Sequence, residues 1–152
     1  MPYVERSVVV AADVETVYRL AKKMEDFPQY MPDVKNVTVI EEDENGTVTR
    51  WQVHVIGRDL KWTERDIFDD KTPKITYKQI EGDVKKFEGE WRFVPERGGV
   101  RVELTCDAEL GVPMLDAIFN PVLKKALEIN VDKMLAAIKA KAESATGGLK
   151  SP

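Results

Sequence analysis

The sequence predicts an α+β domain in which a seven-stranded antiparallel sheet curls around one long C-terminal helix, with short helical structure after the first strand. Three observations carry this. The middle of the chain is a series of valine- and aromatic-rich runs separated by short polar turns. Within those runs apolar and charged residues alternate, which gives the sheet one dry face. The remaining long helical pattern, from Pro113 to about residue 143, lies at the C-terminal end and has to cover that face.

Residues 3–11, YVERSVVVA, form the first strand. Asp13 is then an N-cap for VETVYRLAKKM, where Val14, Val17, Tyr18, Ala21 and Met24 recur at helical spacing. A connector follows with Phe27, Tyr30 and Met31 set around Pro28 and Pro32. VKNVTVIEED and TVTRWQVHVIG flank Asn45-Gly46, a dipeptide that favours a tight hairpin turn. LKWTERDIFDD, KITYKQIEG, KKFEGEWRFVPE and VRVELTCDAEL complete the meander.

Alternation identifies the dry side. Phe87, Gly89, Trp91 and Phe93 share one face of their strand, opposed to Glu88, Glu90 and Arg92. Val100, Val102, Leu104, Cys106, Ala108 and Leu110 do the same against Arg101, Glu103, Thr105, Asp107 and Glu109. LKWTERDIFDD is ambiguous, because Trp62 and Phe68 have the opposite parity to Arg65 and Ile67; a bulge would reconcile it.

In the C-terminal segment Pro121 is poorly suited to a helix interior, whereas Asn120-Pro121 reads as an N-cap followed by a first-turn proline. The expectation is a short turn or helix over 113–119 and then a long helix starting near Pro121. Its apolar positions include Val122, Leu123, Ala126, Leu127, Ile129, Met134, Leu135 and Ile138, a broad face that should lie across the concave sheet. The domain is expected to span 1–143, with SATGGLKSP, residues 144–152, as a flexible tail.

A chain of 152 residues with 43% hydrophobic and 33% charged residues fits one globular domain with its own core. The net charge of −4 and the mixing of basic with acidic residues leave no stripe that could track phosphates, so nucleic acid is not an expected partner. The single cysteine suits a reducing compartment. No run has the length of a membrane span and MPYVERS lacks the regions of a signal peptide, so a cytoplasmic protein without integral membrane association is expected.

Catalytic signals are sparse. His54, the only histidine, points outward on simple alternation, which disfavours a His-centred triad or metal site. Cys106 alternates with core aliphatics and reads as a small buried hydrophobe. No phosphate-binding glycine loop occurs, and EEDENG and DIFDD lack calcium-loop spacing. No catalytic residue, metal site or cofactor is assigned.

The order strand, helix, aromatic connector, six strands and long helix resembles the helix-grip fold of the START-like (SRPBCC) superfamily. FPQYMPDVKNVTVIE, GEWRFVPERGG and the closing MLAAIKAKAE are similar to segments of its polyketide cyclase/dehydrase and coenzyme Q-binding proteins. The resemblance covers about residues 3–143 and implies a cavity between sheet and helix. It implies a hydrophobic small-molecule ligand, such as a lipid, an isoprenoid quinone or a polyketide-like compound, bound for transport or sensing. One alternative it implies is a polyketide aromatase/cyclase, with Arg65, Tyr77, Gln79 and Tyr30 as possible polar assistants. Another is a regulatory protein that interacts with the ribosome or with other proteins.

Parity assigns the lining of that cavity. Phe27, Tyr30 and Met31 are expected at its rim. Trp51, Val53, Tyr77, Gln79, Phe87, Trp91 and Phe93 are expected on the sheet wall, and Phe119, Val122, Ala126, Ile129 and Asn130 on the helical wall.

Overall fold

The alternating strands pair in chain order through short turns. In the computed structural model, which describes residues 2–55, 57–111 and 113–150, with the backbone alone for 113–118 and 145–150, seven strands form one antiparallel sheet. They are β1 (Tyr3–Val10), β2 (Val34–Asp43), β3 (Gly46–Val55), β4 (Arg58–Asp69), β5 (Lys74–Gly82), β6 (Lys86–Glu96) and β7 (Gly99–Glu109). Their spatial order is β1-β7-β6-β5-β4-β3-β2, so the first strand closes the meander against the last. A helix, α1 (Val14–Lys22), and a 3₁₀ helix, Met24–Gln29, connect β1 to β2. The long helix α2 (Pro113–Lys150) crosses the sheet and packs mainly on β1. This is the helix-grip fold.

Local chemistry fixes the entry to α1. Asp13 has extended backbone and its Oδ1 accepts the Thr16 N–H at 2.7 Å, satisfying one of the orphan donors of the first turn. Val17, Tyr18 and Ala21 face the core, and Tyr18 packs edge-on against Phe93 at 5.3 Å.

The β2–β3 turn differs by one residue from the expectation. Glu44 and Asn45 make the turn, and Gly46 opens β3 opposite Asp43. Asp43 Oδ1 accepts the N–H groups of Asn45 and Gly46 at 2.8 and 3.0 Å, which stabilises this register. Gly46 is needed one step further on, because a Cβ there would lie 1.9 Å from the Asp66 carbonyl oxygen on β4.

The helix break expected at Asn120-Pro121 is absent. α2 runs from Pro113 past Pro121 to Lys150, so it also extends beyond the 143/144 boundary drawn from sequence. Pro121 has no N–H to donate to residue 117. Helical backbone on both sides carries the chain through this one missing bond. The buried stripe Leu123, Leu127, Val131, Leu135, Ile138 and Ala142 holds the helix on the sheet.

The core beneath that stripe contains a run of rings. Phe27 packs against Trp51 and Trp91, Trp51 stacks on Trp62, Trp62 meets Phe87, and Phe87 meets Tyr77.

Candidate functional site

Between the concave sheet and the first half of α2 lies a cavity in two lobes of about 40 and 30 Å³. The first is walled by Trp51, Val53, Trp62, Glu64, Tyr77, Phe87, Trp91, Leu104 and Cys106 from the sheet and by Leu127, Asn130, Val131 and Met134 from α2. The second continues past Val55, Leu60, Ala108 and Leu123. Each lobe has about the volume of one water molecule, so the cavity in this conformation holds small groups only. A wider depression of about 750 Å³ on the opposite side of the sheet is lined in part by Arg65, Lys78, Glu88, Glu90, Arg92 and Asp107. The aromatic cavity has the character of a small-molecule site, because apolar walls enclose a few polar atoms.

Of the residues expected to line a cavity, Trp51, Val53, Tyr77, Phe87, Trp91 and Asn130 do so. The others lie elsewhere. Phe27 and Met31 are fully buried in the core, so the connector plugs the end of the sheet where a rim was expected. Tyr30 is half-buried, with its hydroxyl unpartnered and Lys141 Nζ 5.6 Å from its ring centre. Phe93 is buried against Tyr18 and Trp91. Gln79 donates to the Val84 carbonyl at 2.8 Å near the β5–β6 turn. On α2, Phe119, Val122 and Ile129 are 44%, 53% and 47% exposed and Ala126 is only half-buried, so of the five residues expected on the helical wall Asn130 alone borders the cavity. The stripe through Leu123 and Leu127 faces inward instead.

Arg65 points outward to Asp43 at 3.0 Å, away from the cavity. His54 is also outward, hydrogen-bonded to Asp59 at 2.9 Å. Cys106 is buried at the cavity wall, and desolvation pushes its thiol pKa up to about 12, so it stays protonated.

The polar centre that sequence reasoning missed is on β4. Trp62, Glu64, Asp66 and Phe68 all point inward, and the pairing with β5 shifts register between Thr63 and Glu64. Glu64 is 3% exposed and Asp66 is 0% exposed. Trp62 Nε1 donates to Glu64 Oε1 at 2.7 Å. Thr47 and Thr49 hydroxyls donate to Asp66 Oδ2 at 3.1 and 2.6 Å, and Trp51 Nε1 donates to Thr49 Oγ1 at 2.8 Å. Desolvation, and then the neighbouring Asp66 charge, hold the Glu64 carboxyl well above the usual carboxylate range. Asp66 is also raised by burial, but its hydrogen bonds to Glu64, Thr49 and Thr47 oppose the shift and favour its anion. The signal was strict alternation: Glu64 and Asp66 have the parity of Trp62 and Phe68.

Tyr77 crosses the inner face to donate its hydroxyl to the Thr105 carbonyl at 2.6 Å. Gly89 makes room for this contact, since a Cβ there would stand 2.1 Å from that carbonyl oxygen and 2.7 Å from the Tyr77 hydroxyl. Burial raises the Tyr77 pKa well above the ordinary tyrosine value. From α2, Asn130 brings a buried Nδ2 with no hydrogen-bond partner to the cavity wall. The arrangement places a buried carboxyl with a raised pKa on the sheet side and an amide donor on the helix side of an aromatic slot.

The fold and this cavity define a START-like protein. Residues 10–135 match the model of the family described as "Polyketide cyclase / dehydrase and lipid transport", and the chain belongs to that family. It is 31% identical over 134 residues to the actinorhodin polyketide synthase bifunctional cyclase/dehydratase of Streptomyces coelicolor, covering 87% of this chain and 41% of that protein. The chain thus spans less than half the length of that relative. It is 24% identical over 126 residues to the ribosome association toxin RatA of Escherichia coli K12, covering 82% of this chain and 79% of the toxin. Among solved structures, TTHA0849 from Thermus thermophilus superposes with a TM-score of 0.89 at 30% identity, over 95% of this chain and 99% of that one. The ZhuI aromatase/cyclase from Streptomyces sp. R1128 superposes with a TM-score of 0.84 at 25% identity, over 93% of each chain.

Proposed function

We propose that the protein binds a flat, hydrophobic small molecule carrying a carbonyl or phenol oxygen in the cavity between the Trp51–Trp62 stack and α2. The observation that carries this reading is a ring-lined cavity with Glu64 and Asn130 on its walls. The rings offer apolar surface at about 25 cal/mol per Å² taken from water. Asn130 Nδ2 offers a donor to a ligand oxygen, with the buried Glu64 carboxyl on the facing wall. A ligand with several rings enters when the first half of α2 lifts from the sheet.

The buried acid favours a second reading, in which the bound compound is also cyclised or dehydrated, as the name of the Streptomyces coelicolor relative suggests for that protein. One experiment separates the two. The protein is titrated with a planar quinone, a fatty acid and a poly-β-keto analogue, following tryptophan fluorescence. Each compound is then extracted and its mass measured. Saturable quenching with unchanged recovery supports binding alone, and conversion of the keto analogue supports the second reading. Failure of every compound to quench rejects both and leaves a protein-interaction role.

A further inference from the structure

We propose that Glu64 and Asp66 hold one proton between their carboxyl groups, and that this pair makes the cavity an acid–base centre for ligands with a C–H bond flanked by two carbonyls. The proposal rests on the binding reading above and adds the residues and the bond they act on.

Burial and an unpartnered oxygen point to the shared proton. Asp66 Oδ2 receives both threonine hydroxyls, while its buried Oδ1 has no protein donor among the described residues. The adjacent side chain on the same inward face of β4 is Glu64, two residues away and 3% exposed. Two carboxylates are acceptors only, so a bond between them needs a proton. With the proton on Glu64, the acid donates to Asp66 and still accepts from Trp62 Nε1. Among the described residues no cationic side chain lines the lobe that holds Glu64, whereas Lys61 lines the second lobe.

Chemistry follows from moving that proton. When it passes to Asp66, Glu64 is left as a carboxylate at the cavity wall. Glu64 then takes the proton of the flanked C–H; the C–H electron pair becomes the enolate C=C bond, and the carbonyl π pair moves to oxygen. Asn130 Nδ2, a donor on the same wall system with no other partner, is available to that oxygen. Return of the proton from Glu64 to oxygen or carbon interconverts keto and enol forms with no co-reactant. Glu64 is the catalytic residue and Asp66 a positioning residue.

The groups facing the pair are few. β3 presents Thr47, Thr49, Trp51 and Val53, and β6 presents Phe87 and Trp91. β5 and β7 present Tyr77 and Cys106, both held protonated by burial. α2 presents Leu127, Asn130, Val131 and Met134, none of which titrates. Arg65 lies on the opposite face of β4, against Asp43.

The probe is benzoylacetone, a flat 1,3-dicarbonyl diluted into buffer as its enol, with ketonisation followed by absorbance and binding by tryptophan quenching. Wild-type protein is expected to quench and to accelerate relaxation about a hundredfold or more. Glu64→Gln should quench and lose the acceleration. Asp66→Asn leaves no second carboxyl to take the proton from Glu64, so it should quench but lose much of the acceleration, with the pH midpoint of what remains moved down because the Asp66 charge no longer opposes ionisation of Glu64. Quenching without acceleration, or equal acceleration by a folded Glu64→Gln protein, overturns the proposal while leaving the binding reading in place. Absence of quenching overturns both. Should Glu64→Gln fail to fold, the wild-type infrared spectrum at neutral pH decides, and lack of a protonated-carboxyl band refutes the shared proton.

Discussion

Trp51 and Trp62 are register partners across β3 and β4, and their rings stack 5.6 Å apart with planes 9° from parallel. Each indole N–H is committed on the same inner face, Trp51 to Thr49 and Trp62 to Glu64. The stack therefore joins the apolar wall of the cavity to its carboxyl pair. Trp62→Phe keeps a ring in place but removes the donor to a buried carboxyl. It should lower stability by about 1–3 kcal/mol in chemical denaturation. An unchanged midpoint would mean that the Trp62–Glu64 bond contributes nothing net.

Trp91 lies at the other side of the cavity, stacked parallel to Phe93 at 6.3 Å. Trp91→Ala would remove a buried ring at a cost of about 3–5 kcal/mol, which confounds any binding measurement. Trp91→Phe is the sharper variant. It is expected to fold and to bind a planar quinone more weakly, so undiminished affinity in the folded variant would remove Trp91 from the ligand contacts.

The raised carboxyl pKa of Glu64 makes a stability prediction with a definite sign. Its folded-state pKa lies above the unfolded value of about 4.5, so the folded protein holds a proton that the unfolded chain releases. That stabilisation is complete below the unfolded pKa and is lost as pH rises through the folded one. Asp13, Asp43, Asp59, Asp69 and Asp70 are shifted down by their hydrogen bonds, so they act in the opposite direction and only at lower pH. Above about pH 5, unfolding free energy should fall with pH by up to about 1.4 kcal/mol per unit for this one proton. Glu64→Gln should flatten the slope, as read from denaturation midpoints across pH 5–8.

The strands were legible in the sequence because a half-buried sheet imposes a period of two, and β2 through β7 fall where alternation put them. Asn45-Gly46 marked the right hairpin, but the Asp43 carboxylate and the close approach of Gly46 to Asp66 set the turn one residue earlier. The carboxyl pair was hidden for a physical reason. Glu64 and Asp66 share the parity of Trp62 and Phe68, but Ile67 on the other parity left the inward face of this strand open. The hydroxyls that satisfy Asp66 come from Thr47 and Thr49 on β3, and pairing between strands does not show in a local pattern. The inward face of α2 had a readable clue. The stripe through Val122 and Ile129 runs into Lys133, whereas the stripe from Leu123 through Ala142 stays apolar.

Those two stripes give a direct contrast. Val122 is 53% exposed, so Val122→Lys should change stability by no more than about 0.5 kcal/mol. Leu127 is 4% exposed and touches both lobes of the cavity, so Leu127→Ala should cost about 2–5 kcal/mol. Equal effects in thermal or chemical melts would mean that the helix is rotated from the orientation described here.

The two halves of α2 are held differently, and this predicts where the cavity opens. Arg6 binds Asp132 through two hydrogen bonds of 2.9 and 3.0 Å, Lys133 pairs with Asp33 at 3.3 Å, and Lys139 donates to the Val9 carbonyl at 2.8 Å. Among the described residues, the hydrogen bonds and ion pairs from α2 to the rest of the fold fall at Asp132 or beyond, and Glu128 adds only a longer-range attraction to Arg6. The first half rests on apolar contacts of Leu123, Leu127 and Val131 over the two small lobes. It also contains Pro121, which removes one helical hydrogen bond. Local opening should therefore begin in residues 119–131 while the second half stays on β1. Backbone amides of 122–130 should exchange with deuterium faster than those of 134–142, and a saturating planar ligand should slow the first set more than the second. Uniform protection along α2, unchanged by a ligand that demonstrably binds, would require entry by another route and defeat this account of the helix.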